Sequence, residues 1–181
     1  MTITKTSSFI LLATTCFLLF GCGTAHVKTD IQADNMHAYK NVLIEDVRVY
    51  SSEESAKTNA PLQEKLKDWE LYSRQQLQSH VNSSKYTLVE NLDEANGSTL
   101  LIDLDINVKY GNRALRWAVG FGAGKGGVDS TITVKDAETG VVKYKAQADS
   151  DLSMGGAGGD IGNVLKENIS KLLKQYSENQ I

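Results

Sequence analysis

"TLLIDLDINVKY", Thr99 to Tyr110, alternates polar and apolar residues throughout, Leu101 excepted. Leu100, Ile102, Leu104, Ile106, Val108 and Tyr110 fall on one side, and Leu101, Asp103, Asp105, Asn107 and Lys109 on the other. A period of two places successive side chains on opposite faces of an extended strand. One face buried and one wet is the habit of antiparallel sheet. Downstream, "VDSTITVKD" (128–136) and "VVKYKAQAD" (141–149) alternate in the same way. The "AETG" between them reads as a hairpin loop, with Gly140 taking a positive φ. Upstream, "NVLIEDVRVY" (41–50) puts Val42 and Ile44 on one parity and Val47 and Val49 on the other. That slip predicts a bulge near Glu45–Asp46. "KYTLVE" (85–90) is a shorter strand, followed by the turn-rich "NLDEANGS".

Two segments carry helical spacing instead. Pro61 suits a first helical position, and Leu62, Leu66, Trp69, Leu77 and Val81 recur from there to about His80. Ile161, Val164, Leu165, Ile169, Leu172, Leu173 and Tyr176 form a second stripe, with Asp160 as its N-cap. The order β-α-β-β-β-β-α predicts an α+β fold: a single antiparallel-dominated sheet with two amphipathic helices on its apolar face. The βαβ unit does not repeat, which argues against a parallel nucleotide-binding sheet.

The chain has 181 residues, 41% apolar side chains and 15 glycines, an ordinary globular composition. Its 19 basic and 22 acidic residues leave a formal charge of −3, without the basic footprint of a nucleic-acid binder. Two Cys and three His leave little for a metal site or a disulfide framework. His26 and His37 are read as solvated.

Ahead of the regular pattern lies "FILLATTCFLLF" (9–20), preceded by a single charge, Lys5. This twelve-residue apolar run suits a secretory leader and falls short of the ~20 that a spanning helix needs. The "LFGC" that closes it (Leu19, Phe20, Gly21, Cys22) resembles the lipobox of bacterial lipoproteins. The resemblance implies cleavage between Gly21 and Cys22, then acylation of the Cys22 sulfur and of the new amine. It divides the chain into a signal peptide (1–21), a lipidated tether (22–40) and one α+β domain (41–181). Gly23 stands where an Asp would retain such a protein in the inner membrane, so the resemblance implies a lipid anchor in the outer membrane with the domain in the periplasm. Acyl chains at ~0.8 kcal/mol per buried CH₂ make that anchor effectively irreversible.

Glycine gathers in "YGNRALRWAVGFGAGKGGVD" (110–129), which joins two strands at greater length than a hairpin needs. It carries Arg113, Arg116 and Lys125 with Leu115, Trp117, Val119 and Phe121. Three readings stand. Gly122, Gly124 and Gly127 spell G-x-G-x-x-G, but a strand rather than a helix follows, so helix N–H groups are not aimed at a phosphate. Large residues alternating with small ones could make a membrane or subunit surface. Alternatively, the stretch folds back on the core. The candidate contact residues are Arg113, Arg116, Trp117, Phe121 and Lys125. "SMGGAGGD" (153–160) is a lead-in to the last helix or an anion site at its N-terminus. Asp103, Asp105 and Asn107 imitate a calcium loop, but Val108 and Ala114 stand where Gly and Glu are required. No nucleophile elbow or zinc-protease motif is present.

The second half, from "GNRALRWAVGFGAGKGG" through the "DAETG" hairpin to "MGGAGGD" and the helix after it, resembles the bacterial lipoprotein family known as domain of unknown function 4410. The resemblance spans roughly Asn41 to Tyr176. It implies an envelope location and supplies no catalytic residues. The expectation is a non-enzymatic interaction or scaffolding module. It would have no cofactor beyond the covalent lipid and no nucleotide or nucleic acid. Its partners would be the membrane and an envelope protein or a second copy. The competing expectation is a carrier of a small or lipidic ligand held under the sheet.

Overall fold

The computed structural model describes residues 25–111, 126–152 and 160–179. The strands are β1 (Ala25–Gln32), β2 (Asn41–Tyr50), β3 (Thr87–Val89), β4 (Thr99–Lys109), β5 (Gly127–Asp136) and β6 (Val142–Asp151). The helices are α1 (Glu54–Lys57), α2 (Ala60–Asn82) and α3 (Ile161–Glu178). The fold is α+β, and the six strands form one sheet in the order β1-β6-β5-β4-β2-β3. Pairs β1·β6, β6·β5 and β5·β4 are antiparallel. β2 runs parallel to both β4 and β3, because α2 carries the chain back to the end of the sheet where β2 began. α2 packs on β2 and β3, and α3 on β1, β5 and β6.

The local rules hold at the predicted places. Leu100, Ile102, Leu104, Ile106 and Val108 are all buried on the helix side. The β2·β4 register shifts between Ile44 and Asp46. That bulge brings Val42, Ile44, Val47 and Val49 to the same buried side despite their opposite parity. Gly140 takes φ 68° in the hairpin. The side chains of Asn59 and Asp160 accept hydrogen bonds from the N–H groups of Leu62 and Gly162 and so cap α2 and α3. At Gly127 a Cβ would lie 2.7 Å from the Ser150 carbonyl oxygen, so strands β5 and β6 need glycine there.

One boundary requires correction. The tether expected over residues 22–40 is structured from Ala25 onward. β1 pairs with β6 from Ala25–Ser150 to Gln32–Tyr144, and Met36 and Tyr39 are buried in the core. Val27 and Thr29 face the covered side, but the register shifts between Thr29 and Ile31, which moves Ile31 opposite Lys145 on the other face. A single large apolar residue in phase is too weak a pattern to stand out in the sequence. The domain thus begins at or before Ala25, and the element order gains a leading strand.

Candidate interaction surface

Both long helices lie on one side of the sheet, so the opposite side is uncovered by any described element. Strand register lays its residues out in rows. One runs Arg48–Asp105–Thr131–Gln147–Lys28. The next runs Tyr50–Asn107–Asp129–Asp149–His26. Asp46, Asp103, Thr133, Lys145 and Ile31 make the row on the other side of the first.

These side chains pair across strands. The Arg48 guanidinium donates to Asp105 Oδ1 from Nε and Nη2, both at 2.6 Å, and Nε lies 3.2 Å from Asp46. Lys135 Nζ lies 2.5 Å from Asp103 and 3.6 Å from Glu45. The Asp103 carboxylate raises the Lys135 ammonium above its ordinary pKa. Lys109 pairs with Asp129. Asp30 accepts from Gln147 at 2.7 Å and pairs with Lys28 at 2.7 Å, and Lys28 holds its carboxyl below the usual range. The face is therefore polar with both signs interleaved, able to meet a partner by hydrogen bonding and charge complementarity rather than by apolar area.

On the covered side one polar cluster is satisfied internally. Asn168 of α3 is wholly buried. Its amide donates to Val128 O (3.0 Å), Ala148 O (3.2 Å) and Ser150 Oγ (2.8 Å), while its carbonyl accepts from Ser130. At the far end of the helices Ser177 Oγ lies 2.9 Å from His80 Nε2. The same hydroxyl donates to Leu173 O at 3.2 Å, so its proton is directed at the backbone and not at the imidazole. Burial lowers the His80 pKa and so favours the neutral ring. The His80 ring also packs against Tyr176, with ring centroids 5.9 Å apart.

Where β4 ends, a groove of about 350 Å³ is lined by Glu53, Asn59, Leu62, Lys65, Tyr110 and Gly111. Tyr110 stacks on Trp69, and its buried hydroxyl has no hydrogen-bond partner among the described residues. Burial and then Glu53 push that hydroxyl's pKa up. The space between sheet and helices, where a carried ligand was expected, is filled by Leu77, Leu104, Ile132, Leu165, Ile169 and Leu172, all essentially inaccessible.

Arg113, Arg116, Trp117, Phe121 and Lys125 lie outside the described residues, as do Gly21 and Cys22. Their flanks do not: Gly111 and Gly126 leave β4 and enter β5 at one end of the sheet. Among the described residues there is no group of three or more His, Cys, Asp or Glu placed to hold a metal. Among the same residues no helix is long and apolar enough to cross a membrane. The uncovered face was foreshadowed by Asp103, Asp105, Asn107 and Lys109, but its cross-strand pairs depend on register, which no single strand encodes.

No protein-family model matches the chain, and no curated protein matches it. Among solved structures it is similar to PelC dodecamers from Paraburkholderia phytofirmans. One crystal form shares 12% identity over 83% of this chain and 95% of that one, with a TM-score of 0.48. A point variant of PelC shares 13% identity over 83% and 96%, with a TM-score of 0.47. A neuraminyllactose-binding hemagglutinin homologue from Helicobacter pylori shares 13% identity over 82% of this chain and 90% of that one, with a TM-score of 0.42. These distant likenesses assign neither ligand nor activity.

Proposed function

We propose that the chain is a non-enzymatic interaction module of the cell envelope. In this reading acyl chains on Cys22 hold it in the outer membrane, with its domain in the periplasm, where it binds an envelope protein or a second copy of itself. The observation that carries the interaction reading is the uncovered, mixed-charge sheet face. Five long strands about 4.8 Å apart and about 30 Å long offer roughly 700 Å². That is close to the ~800 Å² per partner of a standard interface. The anchor reading rests on "LFGC" and the resemblance it carries. In this reading Arg113, Arg116, Trp117, Phe121 and Lys125, which lie outside the described residues, add contacts to a partner or the membrane.

Two arms of one experiment test this. Cys22→Ser abolishes acyl labelling and membrane retention while leaving a folded domain; a Ser variant still wholly in the membrane pellet overturns the anchor. A photo-cross-linking residue at Thr131, in the middle of the open face, yields an adduct in intact envelopes. The same residue at Leu71, exposed on α2, yields none. Adducts from Leu71 alone, or from neither, overturn the interaction surface.

The groove beside Tyr110 favours a second reading, a carrier of a small ligand. Its volume falls within the usual range for ligand sites, and the orphaned Tyr110 hydroxyl would gain a partner.

A further inference from the structure

The position of β1 limits how far the domain can stand from the membrane. Ala25 already pairs with Ser150, so only three residue steps separate the sheet from Cys22. An extended chain covers at most ~3.6 Å per residue, which places Ala25 within about 11 Å of the Cys22 Cα that carries the acyl groups. The opposite end of the sheet lies about 30 Å further along the strands.

The end at which β1 starts is defined by its neighbours. Ser150 closes β6, Val128 opens β5, Val108 closes β4 and Tyr50 closes β2, all within a residue or two of one another in register. α2 and α3 both begin there, after Asn59 and Asp160. The hairpin Ala137–Val141 and the C-terminal end of α3 lie at the other end. Tyr50 is 46% exposed at the β1 end, and a tyrosine with an apolar body and a polar tip suits a membrane–water boundary.

We infer that the end of the sheet marked by Ala25, Tyr50, Lys109, Gly111 and Asp151 lies against the phospholipid headgroups, with the strands standing away from the membrane and the 137–141 hairpin pointing into the periplasm. This rests on the proposed lipid anchor. The described rim does not attract anionic lipid: Lys109 is paired with Asp129, and Asp149, Asp151 and Asp160 stand nearby. Within the described rim, reach rather than charge seats the domain, and the contrast between the two ends is expected to survive added salt. It also leaves the open sheet face perpendicular to the membrane and free for a neighbour on the same surface.

The test uses the full acylated chain in phosphatidylethanolamine–phosphatidylglycerol vesicles that contain headgroup spin-labelled lipid. A fluorophore is placed through Tyr50→Cys at the near end or through Val141→Cys at the far end. Quenching at position 50 is expected to exceed that at 141 several-fold and to persist at high salt. Ten Gly/Ser residues inserted between Thr24 and Ala25 should bring quenching at 50 down to the level at 141 while the protein stays on the vesicles. Equal quenching at both positions, greater quenching at 141, loss of the contrast in salt, or an inert spacer overturns the seating. Acyl content measured on the same samples separates these outcomes from failure of the anchor, in which neither acyl chains nor vesicle binding would be found.

Discussion

The two faces of the sheet are built from the same strands by the same alternation, yet they are fixed by different physics. On the helix side, Ile102, Leu104, Ile106 and Ile132 are inaccessible, and the polar groups of Asn168, Ser130 and Ser150 satisfy one another. On the open side the side chains are half exposed and held by cross-strand ion pairs such as Lys135–Asp103 and Arg48–Asp105. Exposed pairs of this kind contribute little to stability. Selection for stability therefore constrains the first face strongly and the second weakly, which leaves the second free to serve recognition.

If that contrast is right, the largest losses come from the covered face. Leu104→Ala should cost about 3–5 kcal/mol, the transfer of the lost methyl groups plus the cavity left behind. Chemical denaturation of residues 25–181 would read it as a lower midpoint with unchanged slope. A cost under about 1 kcal/mol would mean that helices and sheet are loosely packed.

Asn168→Ala should cost about 2–4 kcal/mol, because Ser150 and Ser130 then lose their partner in a place water does not reach. Adding Ser130→Ala and Ser150→Ala to an Asn168→Leu chain should recover much of that loss, since removing all partners is cheaper than orphaning some. Failure to recover would show that Asn168 acts chiefly through the Val128 and Ala148 carbonyls.

These residues also show what the sequence could and could not reveal. Asn168 sits between Leu165 and Ile169 on the apolar stripe of α3, and Ser130 shares the parity of Val128 and Ile132. A polar residue in phase with an apolar face is a readable sign of a buried hydrogen bond, but its partner is not readable, because 38 residues, with a hairpin and a whole strand among them, separate the two. β1 escaped for a different reason. Its alternation lasts from Ala25 to Asp30 and then breaks at a bulge, with Val27 alone bearing a large apolar side chain in phase. The six-strand order was equally hidden, since β2 pairs in parallel with a strand nearly sixty residues away. The Arg113–Lys125 stretch offered periodicities of both two and four, and local pattern cannot choose between them.

A third test concerns the rim of the covered side. Asp136 stands opposite Leu100, on the helix-side parity, and accepts from the Tyr39 hydroxyl at 2.5 Å and from the N–H groups of Glu138 and Thr139. Tyr39, then Thr139, lower its pKa to about 2, against an ordinary value of 3.8. A depressed carboxyl pKa contributes stability that is present above the ordinary value and lost as pH falls through the folded one. The wild-type melting temperature should thus drop between about pH 4 and pH 2. Tyr39→Phe should flatten that drop. An identical slope in both proteins would mean that the Tyr39 hydrogen bond does not set the Asp136 titration. On the alkaline side, burial followed by Asp136 pushes Tyr39 to about 12, so its contribution is full below pH 10 and lost as pH rises through 12.

The smallest effect belongs to the open face and is the sharpest test of the contrast. Lys135 Nζ contacts Asp103 at 2.5 Å and Glu45 at 3.6 Å, with about a third of the Lys135 side chain exposed. Lys135→Met keeps the aliphatic stem and removes the charge, so packing is conserved while the ion pair is lost. Surface pairs in mutant cycles are worth about 0.2–1 kcal/mol. Asp103 is the more enclosed partner, which places this pair toward the upper part of that range. A cycle with Asp103→Asn isolates the coupling, and added salt should shrink it because the charges are reached by solvent. If the coupling instead exceeds about 2 kcal/mol and ignores salt, the open face is covered in solution. A second copy of the chain would then be the first occupant to look for, by sedimentation of the wild type against Lys135→Met. If the coupling is small and screened, the row of paired charges is available to exchange its internal partners for those of another protein at little cost to the fold.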